Sequence, residues 1–482
     1  MDHDKLLKGY EPEAFFRWFG AITQIPRGSR NEEKIIAFCQ EFAKDRNLDC
    51  QVDRKGNVFM RVPATEGYEN EPTILLQAHL DMVWTKEPGK EFDFDSEPIH
   101  IIRRDNWLMG DGTTLGADNG VGVATMLALA DAKDIPHPPL ELLFTVEEEI
   151  GLKGIRCFDM SKISARRMLN MDSGYSHEFC VSSAGATASI IEKTYVVTHV
   201  PAKHAVLKVA VTGGKSGHSG IMIWKGRACA GNEMGELMAV LEDIPVKLCS
   251  INTPEKAILG ACTVVVSLPE DHKARAVQLL EQRFEEIRSI YRGVEPDLAL
   301  SITEECAETC ADPKTARQIF TAMRLMRTGV YRLNENDPSI TITSAALQSI
   351  TFNDGKLSLR YHIRSANDAD MDALYRKMAR LAELLDMELI KLDRYSGWPE
   401  RADSAFLEKF RNAHLRVCGY HAKPERVHGG IEVGIIVGAI PDMDAVGYAP
   451  TARGAHTPQE YLVIDEVEPF WLVLKEVLAS RG

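Results

Sequence analysis

Three apolar runs in this chain each stop abruptly at residues suited to chemistry. Ile74-Leu75-Leu76 leads into Gln77-Ala78-His79-Leu80-Asp81, residues 140–146 lead into Glu147-Glu148-Glu149, and residues 167–171 lead into Asp172-Ser173. Unbroken apolar strands are buried on both faces, which is the pattern of a parallel sheet covered by helices. In open α/β sheets the ligand-bearing loops gather beyond the carboxyl ends of the strands. A fourth segment, Leu115-Gly116-Ala117-Asp118-Asn119-Gly120, stands just before an apolar helix predicted over 121–132 and puts Asp118 at its start. The chain therefore reads as α/β, with one set of polar residues collected at one sheet end.

Each motif has a plain reading and a chemical one. His79 and Asp81 are two apart, so at a strand end they face the same way. They form either an ordinary His–Asp pair or a metal ligand whose ring is oriented by a carboxylate. Asp118 suits a helix cap, but the glycines beside it also let backbone approach an ion closely. Three successive acids after an apolar strand are costly at a sheet end without a positive charge nearby; a solvated loop is the alternative. Gly454-Ala455-His456-Thr457-Pro458 adds a late loop histidine. Taken together, His79, Asp118, Glu149, Asp172 and His456 offer two imidazoles and three carboxylates. That set suits two zinc ions if Asp118 bridges them, about 3.5–4 Å apart.

At 482 residues the chain exceeds one ordinary core, so more than one domain is expected. Lys and Arg number 56 against 70 Asp and Glu, a net charge of −14, which disfavours nucleic acid and anionic membranes as partners. No basic and apolar leader pattern opens the sequence and no apolar run reaches membrane-span length. The ten cysteines are scattered without a Cys-x-x-Cys pair, and Cys306 and Cys310 have no second pair to complete a zinc knuckle. A reduced, cytoplasmic setting follows. Helices are expected over 12–23 and along the face 35–42, the latter capped by Ser29 or Asn31. Near Gly185 the pattern turns to strands (189–197, 205–211, 261–268, 298–302) mixed with long helices (229–241, 271–291, 368–385). This is an inserted α+β domain, conceivable as two copies of a βαβ-like unit. The boundaries expected are 1–186 and 395–482 for the first domain and 187–394 for the insert.

The motifs carry a resemblance. Gln77-Ala78-His79-Leu80-Asp81-Met82-Val83, Thr113-Thr114-Leu115-Gly116-Ala117-Asp118-Asn119-Gly120, Glu147-Glu148-Glu149-Ile150-Gly151 and Asn170-Met171-Asp172-Ser173 appear in order. Gly217-His218-Ser219-Gly220, Ile363-Arg364-Ser365, Ser396-Gly397-Trp398 and Gly430-Ile431-Glu432 follow. The chain resembles the di-zinc metallopeptidases that include carnosinases, acylases, desuccinylases and tripeptidases, and most of all the bacterial aminoacyl-histidine dipeptidases.

The resemblance implies a three-layer catalytic domain in two sequence pieces around an α+β lid. It implies His79 and Asp172 on one zinc, Glu149 and His456 on the other, Asp118 between them, Asp81 behind His79, and Glu148 as general base for a metal-bridged hydroxide. Cobalt or manganese could substitute for zinc. It also implies His218 as a donor to the developing oxyanion, Arg364 on the substrate carboxylate, a small peptide as substrate, and a homodimer through the lid. Glu432 is a candidate for the substrate amine or for a helix cap. The family's Asn-Ala-Ile-Pro segment reads Lys256-Ala257-Ile258-Leu259 here, and Glu147 replaces a more usual mixed residue, so the dipeptide preference stays open. An N-acyl-amino-acid deacylase or tripeptidase on the same scaffold is the alternative. A non-catalytic metal-binding scaffold protein is the rival of a different class, disfavoured by the presence of Glu148 beside every ligand.

Overall fold

The computed structural model describes residues 6–254 and 257–481, so Lys256 lies outside the described residues. The chain forms two compact units: Met1–Ser183 with Trp398–Arg426 and Ile431–Gly482, and Ala184–Gly397 with Val427–Gly430.

The first unit is built on an eight-stranded sheet. At its centre Leu140–Thr145, Ile74–His79, Arg167–Asn170 and Asp444–Gly447 lie side by side and parallel. Val58–Val62 and Asp49–Val52 extend one side antiparallel; Glu178–Ser183 and Lys423–Val427 extend the other. Every residue of Ile74–His79 and Leu140–Thr145 is buried, which is why both runs lack polar alternation. The helix Ala117–Asp131 is buried almost all round, from Val121 to Leu129. It lies close to the His79 strand because residue 122 is glycine: a Cβ there would sit 2.7 Å from Ala78 Cβ. Glu13–Thr23, Ala405–Cys418 and Val467–Ala479 contribute Phe16, Phe19, Phe410, Phe470 and Leu474 to the same core.

A second, smaller sheet in this unit was not expected from the sequence. Its order is Ala452–Arg453, Tyr461–Val463, Trp107–Gly110, Ile101–Arg104, all antiparallel. The exit of Trp107–Gly110 runs on to Asp118, and the hairpin 452–463 carries His456 in its loop. Asp105 and Asn106 form the tip of the Ile101–Arg104 and Trp107–Gly110 hairpin.

The second unit holds an eleven-stranded sheet with four long helices, Ala230–Ala239, Lys273–Tyr291, Pro313–Leu325 and Asp368–Leu384. Each described strand pairing there is antiparallel. Twice, a strand–helix–strand crossover straddles a third strand. Cys262–Pro269 and Ala299–Glu304, joined through Lys273–Tyr291, flank His204–Thr212. Lys356–Ser365 and Ile390–Tyr395, joined through Asp368–Leu384, flank Gly185–Thr194. This is the split form of the βαβ unit. No helix among the described residues is long and apolar enough to cross a membrane.

Candidate metal centre

The parallel strands deliver their last residues to one place. His79 closes its strand opposite Thr145, two residues before Glu147. Asp172 follows the Arg167–Asn170 strand, and Asp118 comes from the neighbouring helix start. His79 Nε2 lies 3.0 Å from Asp118 Oδ1 and 3.2 Å from Asp172 Oδ1. The other oxygen of Asp118 faces a different imidazole: Oδ2 is 3.3 Å from His456 Nε2, which is also 2.8 Å from Glu149 Oε2. Asp118 thus offers one oxygen to each of two histidines, each accompanied by a further carboxylate. In each of three groups the potential ligand atoms lie within 4.8 Å of one another: His79 with Asp118 and Asp172, Asp118 with Glu149 and His456, and His79 with Glu148 and Glu149.

The backbone beneath holds these side chains. His79 Nδ1 donates to the Asp81 carbonyl at 3.0 Å and lies 3.4 Å from Asp81 Oδ1, so the Nε2 lone pair is left for a ligand. The Asp81 carboxylate also accepts from Glu148 N (3.0 Å), Glu149 N (3.2 Å) and Ser29 Oγ (2.8 Å). Ser29 is therefore not the helix cap expected of it. The helix Glu33–Asp45 starts at Glu32 with no side-chain cap, and Asn31 N turns back to Gly28 O. Asp118 is no cap either, because it and Asn119 depart from helical dihedrals. Asn119 takes that role, accepting from Gly122 N at 3.2 Å while its amide donates to Asp172 Oδ1 at 3.0 Å.

The electrostatics are those of crowded acids. Burial pushes Glu148 well above the usual carboxylate range, and Asp172, Glu432 and Glu149 add to the push. Burial, with the charges of Asp118 and Glu149, carries Asp172 up to about 6 against the pull of His79. Bonds to Asp118 and Glu149 raise His456 to about 10. Burial disfavours charge on His79, yet Asp172 and Asp118 hold its pKa well above the ordinary value. Asp118 itself falls below the usual range, since its bonds to His456 and His79 outweigh its burial. Each imidazole faces two carboxylates, which favour positive charge at both positions. Divalent cations fit the same positions: the donors are nitrogen and carboxylate oxygen, they converge within a few ångströms, and they carry excess negative charge.

The triple acid is sorted by its surroundings. Glu147 pairs with Lys55, and only Glu148 and Glu149 join the cluster. Glu432 is fully buried, so it presents no surface to a substrate amine. It is no cap either. Its Oε2 accepts from Thr145 Oγ1 (2.6 Å) and from the Gln77 amide, whose own oxygen accepts from Asn170 at 2.6 Å. That buried chain ties together the ends of three parallel strands. His218 and Arg364 belong to the second unit. Gly220 N and Ile221 N both donate to His218 Nδ1 at 3.1 Å, which fixes the proton on Nε2 and makes that atom a donor. Burial and the neighbouring Arg364 charge lower the His218 pKa, keeping the ring neutral.

Sequence reasoning missed the buried Arg27 and Glu460 of the first unit. Their partners are backbone groups, which leave no side-chain pattern. The spacing of Glu460, four residues beyond His456, is the one signal present.

The model for "Peptidase family M20/M25/M40" matches residues 75–480. The chain is 29% identical over 479 residues, 98% of each protein, to a cytosol non-specific dipeptidase of Escherichia coli (strain K12). Its structure is similar to that of an aminoacylhistidine dipeptidase from Vibrio alginolyticus, with a TM-score of 0.90, 28% identity, and coverage of 99% of this chain and 98% of that one. An aminopeptidase PepT from Bacillus cereus ATCC 10987 shares the fold at a TM-score of 0.58 and 17% identity, with 98% of both chains covered.

Proposed function

Because this chain belongs to peptidase family M20/M25/M40, we propose that it is a two-metal dipeptidase, acting on short peptides with free termini. The reading rests on Asp118, whose two oxygens face His79 and His456 separately. His79 and Asp172 would hold one ion, Glu149 and His456 the other, with Asp118 shared. Zinc suits the donor set, with cobalt or manganese as substitutes. When bound, such ions acidify a water and polarise the scissile carbonyl.

The chain's own groups supply the rest. Glu148, beside the ligands but free of ligand duty, takes a proton from the attacking water and returns it to the leaving nitrogen. Asp81 keeps His79 in one tautomer. His218, with its Nε2 proton fixed by two backbone donors, suits hydrogen bonding to the oxyanion. Arg364 suits the substrate carboxylate, for which a guanidinium fork is well shaped. The domain boundaries 1–186, 187–394 and 395–482, a homodimer formed through the inserted unit, and a cytoplasmic setting complete the reading.

The test is a hydrolysis profile of purified protein on dipeptides, tripeptides and N-acyl amino acids, before and after chelation. Dipeptides, Xaa-His among them, should be cleaved, with activity lost to chelator and restored by Zn2+. Preference for tripeptides or N-acyl amino acids would overturn the dipeptidase assignment. Glu148→Gln should lose about 10²-fold or more in kcat while retaining both metals. His456→Ala should lose one metal equivalent.

A further inference from the structure

Glu460 is 1% exposed and both its oxygens are committed to backbone. Oε2 accepts from Leu115 N and Gly116 N, each at 2.8 Å, and Oε1 accepts from Asp118 N at 2.9 Å. Three N–H donors from one short loop thus converge on a single carboxylate, in the manner of a charge-assisted anion cradle. On the other side of that loop, Arg27, also 1% exposed, donates to the Gly116 carbonyl. The same guanidinium donates to the carbonyls of Leu80 (2.8 Å) and Asp81 (3.2 Å), the segment just beyond His79. Gly116 has φ +73°, and a Cβ there would sit 2.6 Å from Arg27 Nη2, so the loop is shaped to lie between the two side chains. Glu460 stands at the foot of the hairpin whose loop carries His456. The next residues, Tyr461–Val463, pair with Trp107–Gly110, the strand that leads to Asp118.

We propose that Glu460 is a positioning residue for the shared carboxylate Asp118, fixing its backbone to the loop that supplies His456 and so setting the second metal position. This rests on the two-metal reading above. Glu460 touches neither substrate nor ion; it acts through three N–H groups. Its carboxylate is required because a glutamine in the same place turns an NH2 group toward a backbone donor whichever way it is flipped.

The test is a metal titration of the apo full-length protein with Zn2+, followed by competition with a chelator, alongside thermal melts of the apo forms. In Glu460→Gln the equivalent that is lost in His456→Ala should bind about 10–100-fold less tightly. The equivalent held by His79 and Asp172 should stay within about threefold. A merely structural role would lower the apo melting temperature and leave the ratio of the two affinities as in wild type, which overturns the proposal. Glu460→Asp keeps the charge at shorter reach. If the glutamine variant does not fold, the aspartate variant must show the same selective weakening, and equal affinities there overturn the proposal. Wild-type protein binding fewer than two equivalents would instead refute the two-metal reading, and the positioning role with it.

Discussion

Asp81→Asn changes one atom type in a fully buried side chain. The native carboxylate accepts from Ser29 Oγ, Glu148 N and Glu149 N at 2.8–3.2 Å, and also lies 3.4 Å from His79 Nδ1. An asparagine has one acceptor oxygen, so its NH2 must face at least one of the two backbone donors. One buried N–H without a partner costs about 1–3 kcal/mol. The substitution also removes a negative charge from behind His79, and losses of this kind weaken metal binding by about 10–100-fold, or roughly 1.4–2.7 kcal/mol. Two assays separate the terms: urea unfolding of the apo protein reads the orphaned donor, and chelator competition reads the metal. Ser29→Ala removes one hydroxyl donor and leaves both oxygens, so its effect on metal affinity should be much smaller. If Asp81→Asn holds metal as tightly as wild type and its apo form unfolds at the same urea concentration, the carboxylate does not organise the loop.

Other outcomes follow from the geometry. Gly122→Ala would place a Cβ 2.5 Å from Asn119 Oδ1 and 2.7 Å from Ala78 Cβ, so it should destabilise by about 1–3 kcal/mol; an unchanged unfolding midpoint would contradict the close approach of helix and strand. In the second unit, burial and the Arg364 charge depress His362 to about 3 and His428 to about 4. The unfolded chain takes up these protons below about pH 6.5 while the folded chain resists, so stability falls as pH drops through that value. At pH 5 the loss is about 2 kcal/mol per histidine, and replacing both with glutamine should flatten the decline; an equally steep decline in that variant would rule these groups out. Arg364→Ala should raise KM for free dipeptides more than for C-terminally amidated ones, and equal effects would count against a carboxylate clamp.

The parallel core was legible because its strands are apolar without interruption and each ends at a residue that solvent alone does not explain. The same feature exposed His79, Glu149 and Asp172, and apolar spacing located the Glu13–Thr23 helix. The small sheet was not legible. Ala452–Arg453 is two residues long, and Ile101–Arg104 ends in two arginines, so neither has a period to read. Local rules also offered Ser29 as a helix cap, but a side chain near a helix start takes whichever partner the fold brings nearest. For Ser29 that partner is Asp81, fifty-two residues away. Glu432 read as a candidate for the substrate amine or for a helix cap, but it is fully buried and bonded to Thr145 and Gln77.

Asp444–Gly447 enters the main sheet between Arg167–Asn170 and Glu178–Ser183, more than two hundred and fifty residues after either was made. The latest strand is therefore an interior one. A ribosome that stalls, or a protease that cuts, ahead of residue 444 does more than remove His456: it leaves two apolar strands with bare edges, the kind that recruit one another into aggregates. Loss of the terminal segment should thus be seen first as insoluble protein, and inactive soluble enzyme should be scarce.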